Sequence, residues 1–284
     1  MTNPLVTVTI PTYNSAKGLP FCLEALNNQS YKNIEINIID NVSKDATVEV
    51  AKKFGVKKIK ILSCSLLQAR YEGVKMAKGT YILILDSDQI LSHDAIERAV
   101  RMTESKHLDM LALEESVYYS KTFVEKLFDM DRRLINSLNN LSPFTGVIMP
   151  RFFRRELLVK AYEHIPQEIF RNTGGPDHAI VYYEAWRMSK KIGVVTDAVK
   201  HIEPYSLQFM MRKMYRWGYT SVAAHYGSYD DLMKQKERFR TGLFTKGLMK
   251  ESIASIVLLF FKGVAFKTGY YRGVIDRYFG LIHL

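Results

Sequence analysis

Short apolar runs alternate with amphipathic stretches through the first ninety residues. Leu5-Val6-Thr7-Val8-Thr9-Ile10 is β-branched and bounded by Pro11, which predicts a strand leaving through the loop Pro11-Thr12-Tyr13-Asn14. A helix is expected from about Gly18 to Asn28, then a strand from Ile34 to Ile39 that ends at Asp40. Asn41-Val42-Ser43-Lys44-Asp45 has turn chemistry and opens another helix; Val56 to Leu62 supplies a third strand, and Leu66 to Ala77 a third helix. The fourth apolar run, Tyr81-Ile82-Leu83-Ile84-Leu85, reads as a central strand buried on both faces. Strand and helix alternate with short connections, which predicts an α/β fold with a mostly parallel sheet and right-handed crossovers.

Beyond residue 90 the pattern loosens. Asp109 to Leu113 reads as a fifth strand, Lys121 to Leu138 as a mixed polar and apolar helix, and Phe144 to Met149 as a strand. Gly174-Gly175-Pro176-Asp177-His178 is a flexible approach with a carboxylate at a helix start, an arrangement the helix dipole favours in any protein. Gly193 to Val195 reads as a short strand preceding His201, and a helix is expected from near Ser206. From Leu232 to Leu284 the spacing is helical, with basic residues between apolar clusters. No internal repeat or low-complexity linker is evident.

Composition narrows the class. At 284 residues and 47% hydrophobic content the chain can bury a sizeable core, as one large or two modest domains. Seven histidines and two cysteines, Cys22 and Cys64, are too scattered for a zinc module or a disulfide framework, which fits a reducing compartment. No basic-then-apolar leader precedes the first strand, so no secretory signal is expected. The net charge of +11 is uneven: the last 84 residues carry 13 Lys and Arg against 6 Asp and Glu. Because those charges interleave with clusters such as Ile256-Val257-Leu258-Leu259-Phe260-Phe261, an anionic membrane surface is the first expected partner, each base contributing about 1 kcal/mol near headgroups. Lys262 and Lys267 interrupt the longest apolar stretch short of the roughly 18 to 20 residues that span a bilayer, so the expectation is a peripheral contact rather than a crossing. No nucleic-acid module is recognisable, and nucleic acid is not an expected partner.

The chemistry collects where strands end. In a parallel α/β sheet ligands bind beyond the carboxyl ends of the strands, and that rim would gather Tyr13, Asp40 and the pair Asp86 and Asp88. If the chain stays extended through Ser87, the period of two points both acids to one side. An incomplete set of oxygen ligands suits magnesium or manganese carried in with a diphosphate better than zinc. Asp-Ser-Asp after a strand also occurs as a plain solvated turn. Neither Gly-x-Gly-x-x-Gly nor a Gly-Lys-Ser/Thr loop is present, so nucleotide binding would rest on side chains and a metal.

Four spaced motifs then fit together: Pro11-Thr12-Tyr13-Asn14, Asp40 with Asn41 and Ser43, Gln68-Ala69-Arg70 with Gly73, and Asp86-Ser87-Asp88. Their order resembles family 2 of the glycosyltransferases, inverting enzymes of the GT-A fold, over roughly the first two-thirds of the chain. The resemblance implies a UDP- or GDP-linked sugar donor and a divalent cation, Mn or Mg. It implies nucleotide binding by Pro11, Thr12, Tyr13 (packing on the base), Asp40 (its edge), Gln68, Arg70, Asp86 and Ser87, with Asp88 as direct metal ligand. Asn41 stands where the family often has a second aspartate. Arg151-Phe152-Phe153-Arg154-Arg155-Glu156 corresponds to an aromatic and basic element that opens a helix under the acceptor site.

The same resemblance assigns the general base to Asp177, although Pro176 replaces the usual Glu; Glu184, two helical turns on, is the reserve. His201 matches a metal- or diphosphate-binding histidine in several relatives. Arg216 and Trp217, in Arg212-Lys213-Met214-Tyr215-Arg216-Trp217, resemble part of the Gln-x-x-Arg-Trp element of membrane-bound polysaccharide synthases, with Lys213 in place of the glutamine. Arg216 would neutralise the diphosphate, and Trp217 would stack on an acceptor sugar or pack as core. The implied organisation is a GT-A catalytic domain over 1–202, with a nucleotide half 1–90 and an acceptor half 91–202, and a helical, membrane-associating region over 203–284. The expected activity is inverting transfer to a lipid-linked or membrane-proximal glycan at the cytoplasmic face. The alternatives are a polyprenyl-phosphate sugar synthase and a non-catalytic, membrane-associated nucleotide-binding protein.

Overall fold

A computed structural model describes residues 3–170, 173, 175–225, 229–236, 244 and 246–280. Gly174 of the glycine approach and positions 237–243, 245 and 281–284 of the C-terminal tail lie outside the described residues. The chain forms two compact units, Met1–Glu115 with Met149–Ile165 and Val181–Ile202, and Ser116–Ile148 with Pro166–Ile180 and Glu203–Leu284. The second unit thus draws residues 116–148 and 166–180 together with the C-terminal segment.

In chain order the elements are β1 (Val6–Thr12), α1 (Leu19–Asn27), β2 (Ile34–Asp40), α2 (Thr47–Lys53), β3 (Lys58–Ile61), α3 (Leu66–Lys75), β4 (Tyr81–Ile84), β5 (Gln89–Leu91), α4 (Ala95–Lys106) and β6 (Met110–Val117). They continue with α5 (Phe123–Leu138), β7 (Pro150–Arg154), α6 (Arg155–Glu163), α7 (Gln167–Phe170), α8 (Asp177–Met188), β8 (Ile192–His201), α9 (Leu207–Thr220), α10 (Asp230–Lys236) and α11 (Met249–Tyr278).

The first unit is built on one eight-stranded sheet in the order β3-β2-β1-β4-β7-β6-β8-β5. Strands β3, β2, β1 and β4 pair in parallel, as the alternating pattern predicts, and β1 and β4 are buried along their whole lengths. The pairs β4–β7, β6–β7 and β5–β8 are antiparallel. Helix α3 lies close on this sheet because residue 73 is glycine: a methyl group there would sit 1.8 Å from the Thr9 hydroxyl oxygen.

Four expectations from the sequence change. The Phe144–Met149 run is not a strand: Ser142 Oγ accepts from the amides of Phe144 and Thr145, and Gly146 N bonds Ser142 O, curling the chain into a turn. The strand comes next, at Pro150–Arg154, so Arg151 to Arg154 are extended and the helix opens only at Arg155. Gly193–Val195 is part of a ten-residue strand, and the three-residue β5 was too short for its pattern to register.

In the second unit, α5, α9 and α11 share a core of Val124, Leu127, Phe128, Met210, Met214, Ala254, Leu258 and Ala265. Backbones of α9 and α11 nearly touch: a methyl at Gly218 would lie 1.9 Å from Phe266 O, and one at Gly269 2.0 Å from Tyr215 O. Thr122 caps α5 in a reciprocal capping box with Glu125, and Ser206 caps α9 by accepting from Phe209 N. Contrary to the expectation from Lys262 and Lys267, the 30-residue α11 is long and apolar enough to cross a membrane by length and composition.

Candidate active site

The rim after β1 and β2, the acid loop, Glu115, Arg151 and His201 all belong to the first unit. The loops after β1 and β2 are tied into one rim. Asn14 N donates to Ser43 Oγ (2.9 Å), Lys44 N to Asn14 Oδ1 (2.8 Å), Ser15 N to Thr47 Oγ1 (2.7 Å) and Asn41 N to Thr12 O (2.8 Å). Asn14 and Val42 both hold positive φ, 50° and 53°; asparagine tolerates that region, whereas a β-branched residue is strained there. Tyr13 stands out from this rim at 51% exposure.

Asp40 is at 0% exposure. Its Oδ1 accepts from Thr12 Oγ1 (2.8 Å) and Ser43 Oγ (2.6 Å), and its Oδ2 from Ser43 N (2.8 Å). The carboxylate is thus committed to holding the two loops. Pro11 and Thr12 lie buried within β1, and Ser87 reaches the rim through a bond to Ser15 Oγ (2.9 Å).

The acid pair differs from its sequence expectation. The chain does not stay extended through Ser87; Gln89 N bonds Asp86 O (3.1 Å), a turn that redirects it into β5. Asp86 and Asp88 therefore face different partners. Asp86 takes Arg70 Nη2 on Oδ1 (2.7 Å) and Arg151 Nη1 on Oδ2 (3.1 Å), with the Arg70 side chain only 3% exposed. Asp88, a third exposed, meets His201 Nε2 at 3.2 Å. The β5–β8 register explains that meeting: Gln89 is paired with His201, and Ile202 N bonds Asp88 O (2.9 Å).

Glu115 joins the two halves. It accepts from Arg151 Nε (2.9 Å) and Gln89 Nε2 (3.0 Å) through Oε1, and its Oε2 lies 3.7 Å from His201 Nδ1. A continuous chain of charge results: Arg70, Asp86, Arg151, Glu115, His201, Asp88. Sequence reasoning missed Glu115 and the role of Arg151; Glu115 is the second acid of the pair Glu114-Glu115 that follows the apolar run Met110 to Leu113, and that signal was available.

Glycine at residue 18 lets the acid loop sit against the start of α1, since a methyl there would lie 3.1 Å from Ser87 O. Beneath the loop, burial pushes the Cys22 thiol far up, with the charges of Asp88 and Asp86 adding to it, so Cys22 is a protonated packing residue. Gln68 turns to its own helix and donates to Glu72 Oε1 (2.7 Å). Burial alone would raise the Glu72 carboxyl, but hydrogen bonds from Lys60, Lys75 and Gln68 hold it below the ordinary range.

Asp88 and His201 offer one oxygen and one nitrogen donor side by side, with Nε2 of the ring towards Asp88 and the Glu115 carboxylate on its Nδ1 side. Among the described residues no group of three or more His, Cys, Asp or Glu side chains is arranged to hold a metal. The donor set therefore fits a divalent cation that brings further oxygens with it, such as one bound to a diphosphate.

The remaining sequence candidates fall as follows. Asp177 begins α8 and is buried; in the same unit, Gly175 lies against Trp217, where a methyl would come within 3.0 Å of its Cβ. Trp217 packs on the α5–α9–α11 core with Lys213 Nζ 5.2 Å from its ring, and Arg216 is exposed. Glu184, in the first unit, is buried and paired with Arg187 (3.2 Å).

Comparison with known proteins follows the same outline. Residues 7–165 match the family described as Glycosyl transferase family 2. Glycosyltransferase GlyG of Streptococcus pneumoniae is 34% identical over 113 residues, 38% of this chain and 38% of GlyG, so the aligned part spans well under half of that relative. Staphylococcus aureus TarS 1-349, solved with UDP-GlcNAc, superposes with a TM-score of 0.57 at 15% identity, covering 97% of this chain and 92% of that one. Mannosyltransferase PcManGT of Pyrobaculum calidifontis, solved with GDP-Man and Mn2+, gives 0.58 at 16% identity, covering 99% and 84%. These likenesses show the GT-A-type fold.

Proposed function

The chain belongs to glycosyl transferase family 2, and from that membership we propose that it transfers a sugar, with inversion, from a nucleoside-diphosphate sugar to an acceptor hydroxyl. The observation that carries the reading is the Asp88–His201 pair at the carboxyl end of the parallel sheet, braced by the Arg70–Asp86–Arg151–Glu115 chain. Two proteins of the same fold support the donor class, one holding UDP-GlcNAc and the other GDP-Man with Mn2+.

Tyr13 offers an exposed ring on which the base stacks, while Asp40 acts indirectly by fixing the loops that carry Tyr13 and Asn41. Asp86, held between two guanidinium groups, keeps a fixed orientation towards the ribose; Pro11, Thr12, Gln68 and Ser87 shape the rim around the nucleotide. Asp88 and His201 would hold Mn or Mg, which when bound offsets charge developing on the departing diphosphate. Arg216 is assigned to the diphosphate as well, and Trp217 to the acceptor side. Asp177 takes the proton of the attacking hydroxyl, and displacement from the face opposite the nucleotide inverts the anomeric centre. The acceptor we propose is a lipid-linked or membrane-proximal glycan, met at the cytoplasmic face.

The test is turnover of a panel of UDP- and GDP-sugars with glycan and polyprenyl-phosphate acceptors, comparing wild type with Asp177→Asn. A hydroxyl acceptor predicts a fall in kcat of about 10² to 10⁴. Unchanged kcat with a polyprenyl phosphate would replace the hydroxyl reading by the phosphate one, because that acceptor arrives ionised. No transfer or donor hydrolysis with any pair would overturn the enzymatic reading.

A further inference from the structure

Helix α11 has two unlike faces. One is committed: Ala254, Leu258 and Ala265 pack with α5 and α9, Gly269 abuts Tyr215 O, Ser255 Oγ bonds Asp131, and Asp276 Oδ2 accepts from the Tyr219 hydroxyl (3.2 Å) and Arg272 Nε (3.1 Å). The other is apolar and turned to solvent. Ile253, Phe260, Val264, Tyr271, Ile275 and Tyr278 follow one another at helical spacings of seven, four, seven, four and three, so they fall on one narrow stripe. Phe260, Tyr271 and Tyr278 are 65%, 61% and 84% exposed.

The charges on this helix point to what covers the stripe. Lys250, Lys267 and Arg272 are exposed along or beside it, whereas the two acids of α11 are withdrawn, Glu251 half-buried and Asp276 buried against Arg272. An apolar stripe whose exposed charged neighbours on the same helix are Lys250, Lys267 and Arg272 complements an anionic bilayer surface, where rings and aliphatic groups enter the headgroup boundary and ammonium and guanidinium groups meet lipid phosphates.

Length alone would let α11 cross a bilayer, but its committed face argues against that orientation. Crossing would strip the helix from α5 and α9 and leave Ser255, Asp276 and the glycine contacts in hydrocarbon, where polar groups have no water to bond. We propose that α11 lies in the plane of an anionic membrane, stripe down, and acts as the protein's membrane-docking surface. This goes beyond the transfer reaction and does not depend on it.

Co-sedimentation of the full chain with phosphatidylcholine vesicles, with and without about 30% phosphatidylglycerol, tests it without any sugar donor. Wild type is expected to bind the anionic vesicles at least tenfold more than the neutral ones, and to be released by alkaline carbonate. The double variant Phe260→Glu/Tyr271→Glu should lose at least tenfold in binding while melting at the wild-type temperature. Failure of wild type to bind anionic vesicles overturns the proposal whatever the variant does. Retention through carbonate would indicate a spanning helix instead, and a dimer in light scattering that the double variant abolishes, without vesicle binding, would assign the stripe to a second copy.

Discussion

Gln89 and His201 lie opposite each other in the antiparallel β5–β8 pair, and this register sets the imidazole of His201 beside Asp88. The meeting of Asp88 and His201, the proposed cation pair, is thus a product of strand pairing, not of local sequence. Glu115 lies between them and the rest of the site, 3.7 Å from His201 Nδ1 and accepting from Arg151 Nε.

Glu115→Gln removes the charge on the Nδ1 side of His201 while keeping a similar shape. Outer-shell partners of this kind are typically worth about 10- to 100-fold in metal affinity. Titration of Mn2+ into protein saturated with UDP or GDP should therefore give a 10- to 100-fold weaker Kd, with wild-type far-UV dichroism. Equal affinity would show that Glu115 has no part in the site.

Gly73→Ala tests the seating of α3, the helix that delivers Arg70 to Asp86. The added methyl would meet the Thr9 hydroxyl at 1.8 Å and its Cβ at 2.9 Å. Overpacking of this kind costs about 1 to 3 kcal/mol. Urea unfolding should register that loss, and Thr9→Ala in the same chain should recover part of it, since the two sites share one contact.

Glu35 makes stability fall in acid. Burial alone would raise its carboxyl, but hydrogen bonds from Lys58, Thr7 and the Lys78 amide, with the Lys58 charge, hold it below the ordinary 4.5. A carboxyl lowered on folding contributes stability that is present above its unfolded pKa and is lost as pH falls through the folded one. The melting temperature should drop as pH is lowered from 5 towards 3, and the drop should be shallower in Glu35→Gln.

Much of the fold was legible because period and punctuation agree in the first half. The β-branched and aliphatic runs define all four parallel strands, although β1 runs on through Pro11 and Thr12, which the sequence pattern assigns to a loop, and pairs them with Ile39 and Asp40. The site was legible as residue types but not as geometry. Asp86 and Asp88 were identified, yet the turn closed by Gln89 N and Asp86 O sends them to different partners, which a period-two argument assumes away. Asp40 was read as a ligand contact, and only the bonds from Thr12 and Ser43 reveal that its carboxylate is buried holding loops. Glu115, Arg151 and His201 meet through antiparallel pairings between distant segments, and no local pattern encodes such register. The Phe144–Met149 run failed as a strand because Ser142 offered its backbone a turn.

The most direct test of the central claim is nucleoside-diphosphate release from the accepted donor in the presence of Mn2+, measured for wild type and Asp88→Ala side by side. If Asp88 and His201 hold the cation that stabilises the leaving diphosphate, the variant loses several kcal/mol of that stabilisation and kcat falls by about three orders of magnitude or more, with the fold intact. An Asp88→Ala protein that turns over at the wild-type rate would contradict the account.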